Sequence, residues 1–227
     1  MGAITISREY GSGGRTIAAK VAEALGYENV DKDLLVAVAR EAQVPVSEVE
    51  RYDEQPEHPA LRVLRKFLTP GYADTLTGLS EYEWWATATV PELSSQKDIA
   101  LATLDEEVYV KLTAEVITRM VEKDNVVIVG RGGQAVLNEY ESVLHVRVVA
   151  PREFKLGIVE ERDGLEGDAA IKHMQQMAER RKTYLKRHYN IDVTDARLYH
   201  LTVNTGLLGM DAAADLVVDA ARRLGLA

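Results

Sequence analysis

Apolar and polar positions along the chain follow two rhythms. Ala3–Ser7 (AITIS) is a short apolar, β-branched run that stops at a glycine-rich loop, the pattern of a buried strand. From Thr16 the rhythm turns helical: Ile17, Val21, Ala24 and Leu25 share a face, and Gly26 stands where a helix stops. The pattern then predicts a strand over Tyr27–Asp31 and a helix over Lys32–Ala42, with Asp31 as N-cap and Leu34, Leu35 and Val38 inward. Ser47 and Glu50, at capping-box spacing, predict a short helix over Ser47–Glu54. A long amphipathic helix over Asp105–Lys123 carries Val108, Leu112, Val116 and Met120 on one stripe. The run VVIV at 126–129 is apolar throughout, as in a central parallel strand. After GRGG (130–133) come a short helix, a strand over Val143–Val149, and Pro151 at a helix start. Charged helical sequence fills Arg152–Tyr189, with Gly164 and Gly167 allowing a turn between two helices. Leu198–Val203 reads as the last strand and Asp211–Leu224 as the closing helix.

Five strands alternating with helices imply a three-layer α/β fold on a parallel sheet. At 227 residues the chain suits one such domain over 1–227, with an insertion at about 55–100 and helices at about 152–190. The inserted stretch differs in character: five of the six prolines lie in Pro45–Pro91, together with Phe67, Tyr72, Tyr82, Trp84 and Trp85. Either it packs a small core of its own, or it is a mobile cover or the surface of a homodimer.

Composition narrows the functions. A net charge of −9 disfavours a broad nucleic-acid or anionic-membrane footprint, so any phosphate site must be local. With no cysteine there is neither a disulfide nor a thiolate nucleophile. No run is long and apolar enough for a membrane span, and MGAITIS has no basic, apolar leader, which makes a cytoplasmic protein the expectation. The five histidines show no metal-ligand spacing, and no G-x-S-x-G elbow is present.

The loop after the first strand carries the chemistry: Ser7-Arg8-Glu9-Tyr10-Gly11-Ser12-Gly13-Gly14-Arg15-Thr16. Between a strand and a helix N-terminus, its glycines let backbone N–H groups turn toward an anion, and the helix dipole favours negative charge there. Gly11, Ser12, Gly13, Gly14, Arg15 and Thr16 are the candidate phosphate cradle, and the Thr16 hydroxyl is a candidate Mg²⁺ ligand. Against G-x-x-x-x-G-K-[ST], Arg8 stands at the first glycine and Gly14 at the lysine. Arg8 and Arg15 flank the loop and are candidates to supply the missing charge; Arg15 reads equally well as a solvated first-turn residue.

ITISREYGSGGRTIA resembles the opening of cytidylate kinases and, more closely, of the cytidylate kinase-like family with its GSGG loop. Gly11, Gly13 and Thr16 match the pattern; Gly14 departs from it. VVIVGRGG is similar to their strand leading into Asp-Gly-Arg-Asp, with Arg131 matching the arginine and Val129 and Gly132 replacing the aspartates. LTVNTGLLGMDAAADLV (201–217) resembles the family's terminal strand and Asn-Thr turn. The resemblance implies a P-loop nucleoside-monophosphate kinase fold with a helical lid, ATP·Mg²⁺ as donor and a nucleoside monophosphate, cytidylate-like, as acceptor. It places Asp31 and Asp33 on the acceptor side, with helix capping as the plain alternative for Asp31.

Phosphoryl transfer requires positive charge from several directions. Arg131, set among glycines after a buried strand, is the candidate contact for the acceptor phosphate, with a capping or ion-pair role as the alternative. Arg180, Arg181 and Arg187 lie in the charged helical region, and Arg180 and Arg187 are seven apart on one face. The family's lid helix carries two arginines at that spacing with an aspartate between, which Thr183 and Tyr184 replace here. A merely solvated face is the alternative. Two rivals remain: a nucleotide-binding regulator with little or no turnover, suggested by Gly14 and the lost aspartates, and a kinase of a small non-nucleotide metabolite.

Overall fold

The structure is a computed structural model describing residues 2–31, 37–39, 41, 46, 106–123 and 125–227. The chain divides into two units, Met1–Asp31 with Thr113–Ala227 and Lys32–Leu112; the sheet and the site below lie in the first. The sequence expectations for 47–54, for the 55–100 insertion and for Asp33 fall outside the described residues, as does most of the helix expected over 32–42.

In chain order the elements are β1 (Ala3–Arg8), α1 (Gly14–Leu25), β2 (Glu28–Val30), α2 (Glu106–Glu122), β3 (Val126–Val129), α3 (Gly133–Val136), β4 (Val143–Val149), α4 (Arg152–Asp163), α5 (Gly167–Tyr189), β5 (Leu201–Asn204), α6 (Thr205–Leu208) and α7 (Met210–Arg223). The five strands form one parallel sheet in the order β2-β3-β1-β4-β5. β1 lies at its centre, with Ile6 opposite Val129 on one side and Val146 on the other.

One face of the sheet explains the continuous apolar strands. Ile4, Ile6, Val127, Val129, Leu144, Val146, Val148 and Val203 meet Ile17, Val21, Val217 and Val218 of α1 and α7 in a single core. Burying aliphatic side chains of this size contributes roughly 1.5–3 kcal/mol each before conformational entropy is subtracted. The other face is mixed. Thr5 and Ser7 alternate with the isoleucines and stand beside His145 and Arg147 of β4. The Thr5 hydroxyl is 2.7 Å from His145 Nδ1, and the His145 ring stacks on His200 at 5.2 Å. Burial and the neighbouring His200 push His145 down to about 4, so the ring is neutral at ordinary pH.

Several sequence expectations shift. β1 continues through Arg8, paired with Val148, so the loop starts one residue later than its composition suggests. The last strand begins at Leu201 rather than Leu198, because Ala196–Leu198 forms a 3₁₀ turn capped by the Asp195 carboxylate, which accepts from Arg197 N–H. The strand expected over Tyr27–Asp31 is only Glu28–Val30. On α2 the buried stripe is Thr113, Val116, Ile117 and Val121, and Val108 is exposed; the expected stripe was one position out. Among the described residues no helix is long and apolar enough to cross a membrane.

Candidate functional site

The parallel sheet sends the carboxyl ends of β1, β2 and β3 to one edge, and each end delivers a charged residue. Arg8 closes β1, Asp31 follows β2 and Arg131 follows β3. Asp31 is the focus. Its Oδ2 is 2.6 Å from Arg15 Nε, its Oδ1 is 3.0 Å from Arg131 Nη1, and Arg8 Nη2 lies 3.9 Å from Oδ1. Burial raises the Asp31 carboxyl, but Arg8, Arg15 and Arg131 together outweigh it and hold it below the ordinary aspartate value. Three arginines thus meet one carboxylate at an edge where α/β sheets receive ligands.

The burial of the cluster is uneven. Arg8 and Arg131 are 6% and 1% exposed, whereas the Arg15 side chain is 43% exposed. Arg131 adopts a left-handed φ of 51°, uncommon for a residue with a Cβ, between Gly130 and Gly132, which are also left-handed. That turn folds its guanidinium back so that Nη1 also donates to Val129 O at 3.2 Å. Arg181 of α5 is buried and donates from Nη1 to the carbonyl of Arg8, joining the helix to the end of β1.

Helix α1 opens at the loop without a side-chain cap. Its N-cap, Gly13, is left-handed at φ 74°, so the first-turn N–H groups have no side-chain acceptor. A side chain at Gly13 would be strained by that φ and would press on Met210 Sδ at 2.7 Å. Ser12 is fully buried and donates to Glu9 O at 2.8 Å and Val148 O at 3.2 Å. The Thr205 hydroxyl donates to Ser12 O at 2.7 Å, so the Asn-Thr turn after β5 braces the loop from below.

Two residues inside the loop tie it to α4. Glu9 accepts from Lys155 Nζ at 2.8 Å and lies 3.7 Å from Arg147 Nη2. Tyr10 donates to Asp163 Oδ2 at 2.9 Å, sits 3.1 Å from His173 Nε2 and lies under the Arg162 guanidinium at 4.5 Å. Burial, ahead of the opposing pull of Arg162, pushes the Tyr10 hydroxyl up to about 12, which keeps it a donor. Asp163 is the last residue of α4, next to the left-handed Gly164 that turns the chain toward α5.

The structure thus gathers Arg8, Arg15, Arg131 and Asp31 beside the 11–16 loop, and brings in Arg181. Arg180 and Arg187 are exposed on α5, off its buried face. Their spacing is right, but the buried face runs through Met174, Met177, Arg181, Tyr184 and Leu185. Sequence reasoning missed Glu9, Tyr10, Asp163 and Thr205, whose partners lie more than 140 residues away in sequence; only Thr205, in the Asn-Thr turn, left a local signal.

The site has the features a nucleoside triphosphate and Mg²⁺ require. An uncapped twelve-residue helix starts at a glycine turn, three arginines meet at the same edge, and Thr16 presents a hard oxygen donor from the exposed first turn. Among the described residues no group of three or more His, Asp or Glu is placed to hold a metal ion.

A cytidylate kinase of Aeropyrum pernix is 32% identical over 81 residues, covering 36% of this chain and 47% of that protein. The matched stretch therefore spans about half the length of the curated relative. A solved structure of an uncharacterized protein from Eubacterium ventriosum covers 97% of this chain and 98% of its own, with a TM-score of 0.64 at 20% identity. A shikimate kinase from Bacteroides thetaiotaomicron covers 97% and 98%, with a TM-score of 0.50 at 11% identity. Likenesses at such identities show the fold, a P-loop kinase architecture. The sequence model described as "Cytidylate kinase-like family" matches residues 3–207, from the first strand through the Asn-Thr turn. The chain belongs to the cytidylate kinase-like family.

Proposed function

We propose that the protein is a phosphotransferase that moves the γ-phosphate of ATP to a nucleoside monophosphate, with a cytidylate as acceptor. The observation that carries this reading is the convergence of Arg8, Arg15 and Arg131 on Asp31 beside the uncapped N-terminus of α1. It gathers three cations beside a helix end suited to an anion, and transfer between two phosphorylated molecules demands such charge.

The residues divide the work. The loop at 11–16 holds the donor phosphates through backbone N–H groups, and Thr16 holds the metal. ATP·Mg²⁺, when bound, supplies the transferable group and partly neutralises its charge. Arg131 holds the acceptor phosphate; its left-handed turn and its bond to Val129 O fix the guanidinium before any ligand arrives. Asp31 orients Arg131 and Arg15, so the cations need no rearrangement to meet an anion. Arg181 reaches the end of β1 from α5 and makes closure of that helix over the loop part of the same unit. The acceptor's own phosphate oxygen is the nucleophile, and no strong general base is required.

The test is ADP production from ATP with CMP, dCMP, UMP, AMP and GMP as acceptors. Turnover fastest with CMP or dCMP supports the proposal. A second reading, a nucleotide-binding regulator, is favoured by one observation, glycine at position 14. Tight ATP binding with no turnover on any acceptor would select it.

A further inference from the structure

Residues 8 and 14 are coupled by contact. Gly14 opens α1, and unlike Gly11 and Gly13 it has no left-handed φ. Glycine in a helix is less favourable than alanine by up to about 1 kcal/mol, so its presence here calls for another cause. A Cβ built on Gly14 would collide with Arg8 Cβ and lie 2.9 Å from Arg8 Cγ and 3.6 Å from Cδ. The Arg8 stem runs across the Cα of Gly14. That stem has no retreat: Arg8 is a strand residue registered with Val148, its carbonyl accepts from Arg181, and it is 6% exposed. From there its guanidinium reaches to 3.9 Å from Asp31, on the side of the loop where Arg131 also arrives.

We infer that Arg8 is the cation for the donor's terminal phosphates, the part a lysine at position 14 plays in a G-x-x-x-x-G-K-[ST] loop, and that Gly14 is the clearance its side chain needs. The two positions have exchanged duties: the first position of the loop pattern carries the charge and the seventh carries the gap. Arg15 is the weaker candidate. Its Nε is already 2.6 Å from Asp31 and its side chain is 43% exposed, where water screens a charge. This inference rests on the proposed use of ATP·Mg²⁺.

Two measurements test it, one on the free protein. In thermal unfolding, Gly14→Ala should lower the Tm of the parent, against helix propensity, and should be neutral or stabilising in an Arg8→Gly background. Arg8→Gly is the necessary partner because the first atom struck is Arg8 Cβ, which alanine would keep. In calorimetric titration with ATP·Mg²⁺, Arg8→Met keeps the stem and removes the charge, and should weaken binding at least tenfold; Arg15→Met should cost less than threefold. Gly14→Lys alone should bind poorly, and the exchange variant Arg8→Gly with Gly14→Lys should bind at least tenfold more tightly than either single variant. A neutral Gly14→Ala in the parent, an Arg15→Met loss matching that of Arg8→Met, or an exchange variant no better than its singles would each overturn the inference. A parent protein that binds no ATP·Mg²⁺ would overturn the functional proposal as well, whereas failure of the exchange alone leaves that proposal standing.

Discussion

Asp31→Asn removes one negative charge from the centre of three arginines while preserving side-chain size. At an effective dielectric of 20, unit charges 4 Å apart interact by about 4 kcal/mol, and all three contacts here are closer than that. Much of this attraction is offset by the cost of desolvating the carboxylate, whose side chain is 17% exposed. The loss in the variant comes from the arginines left behind: the buried side chains of Arg8 and Arg131, 5% and 2% exposed, each lose this carboxylate. Breaking a buried pair in this way costs about 3–5 kcal/mol, and the exposed Arg15 places this case near the low end. About 3 kcal/mol in a protein of this size lowers Tm by roughly 6–12 °C. Inorganic phosphate should restore much of that loss by standing in for the carboxylate, stabilising the variant more than the parent. The pH dependence has a definite sign. The folded-state value of Asp31 is depressed, so its contribution is fully present above the unfolded value near 4 and is lost as pH falls through the folded value. The asparagine variant should lack that acid-sensitive component. Thermal unfolding of both proteins at pH 7, with and without 10 mM phosphate, decides the matter. An asparagine variant as stable as the parent, with no added response to phosphate, would refute the idea that these arginines form an anion site held by Asp31.

Other measurements reach different parts of the molecule. His145, held neutral by a value pushed down to about 4, contributes stability that is present above its unfolded value near 6.5 and is lost as pH falls toward 4; the unfolding free energy from urea titrations should decline by up to about 3 kcal/mol across that window, and His145→Gln should remove the slope. Tyr10→Phe loses the hydroxyl contacts to Asp163 and His173, so stability should drop by about 1 kcal/mol and protease cleavage at 164–167 should quicken; unchanged cleavage would show that the loop does not restrain that turn. Arg131→Ala should weaken CMP far more than ATP, on the order of 2–4 kcal/mol, and equal losses for both nucleotides would remove Arg131 from the acceptor site.

How much of this was legible in the sequence depended on the range of the interaction. AITIS reads as a buried strand and VVIV as a central one because a strand covered on both faces is rich in apolar, β-branched residues, and both lie in the interior of the sheet. The uncapped loop before α1 was readable for a similar local reason, the glycines. Strand order was not readable, since nothing in β1 says that β3 and β4 will flank it. The arginines of α5 show how two local signals can select different residues. Heptad spacing selected Arg180 and Arg187, but the apolar positions Met174, Met177, Tyr184 and Leu185 mark a face that includes Arg181, and a helix turns 100° per residue. Asp31 looked like a helix cap because its contacts with Arg15 and Arg131 join residues 16 and 100 positions apart, and chain proximity carries no trace of them.

The collision between position 14 and the Arg8 stem also constrains how such a loop can change over generations. Lysine at 14 acquired first meets an arginine already in its place; glycine at 8 acquired first leaves the loop without its cation. Each single step leads downhill, and only the pair restores a working site. A lineage carrying this arrangement is therefore separated from the lysine-bearing one by a fitness valley two substitutions wide. Libraries that vary one codon at a time will report both positions as immutable, although together they are free to trade.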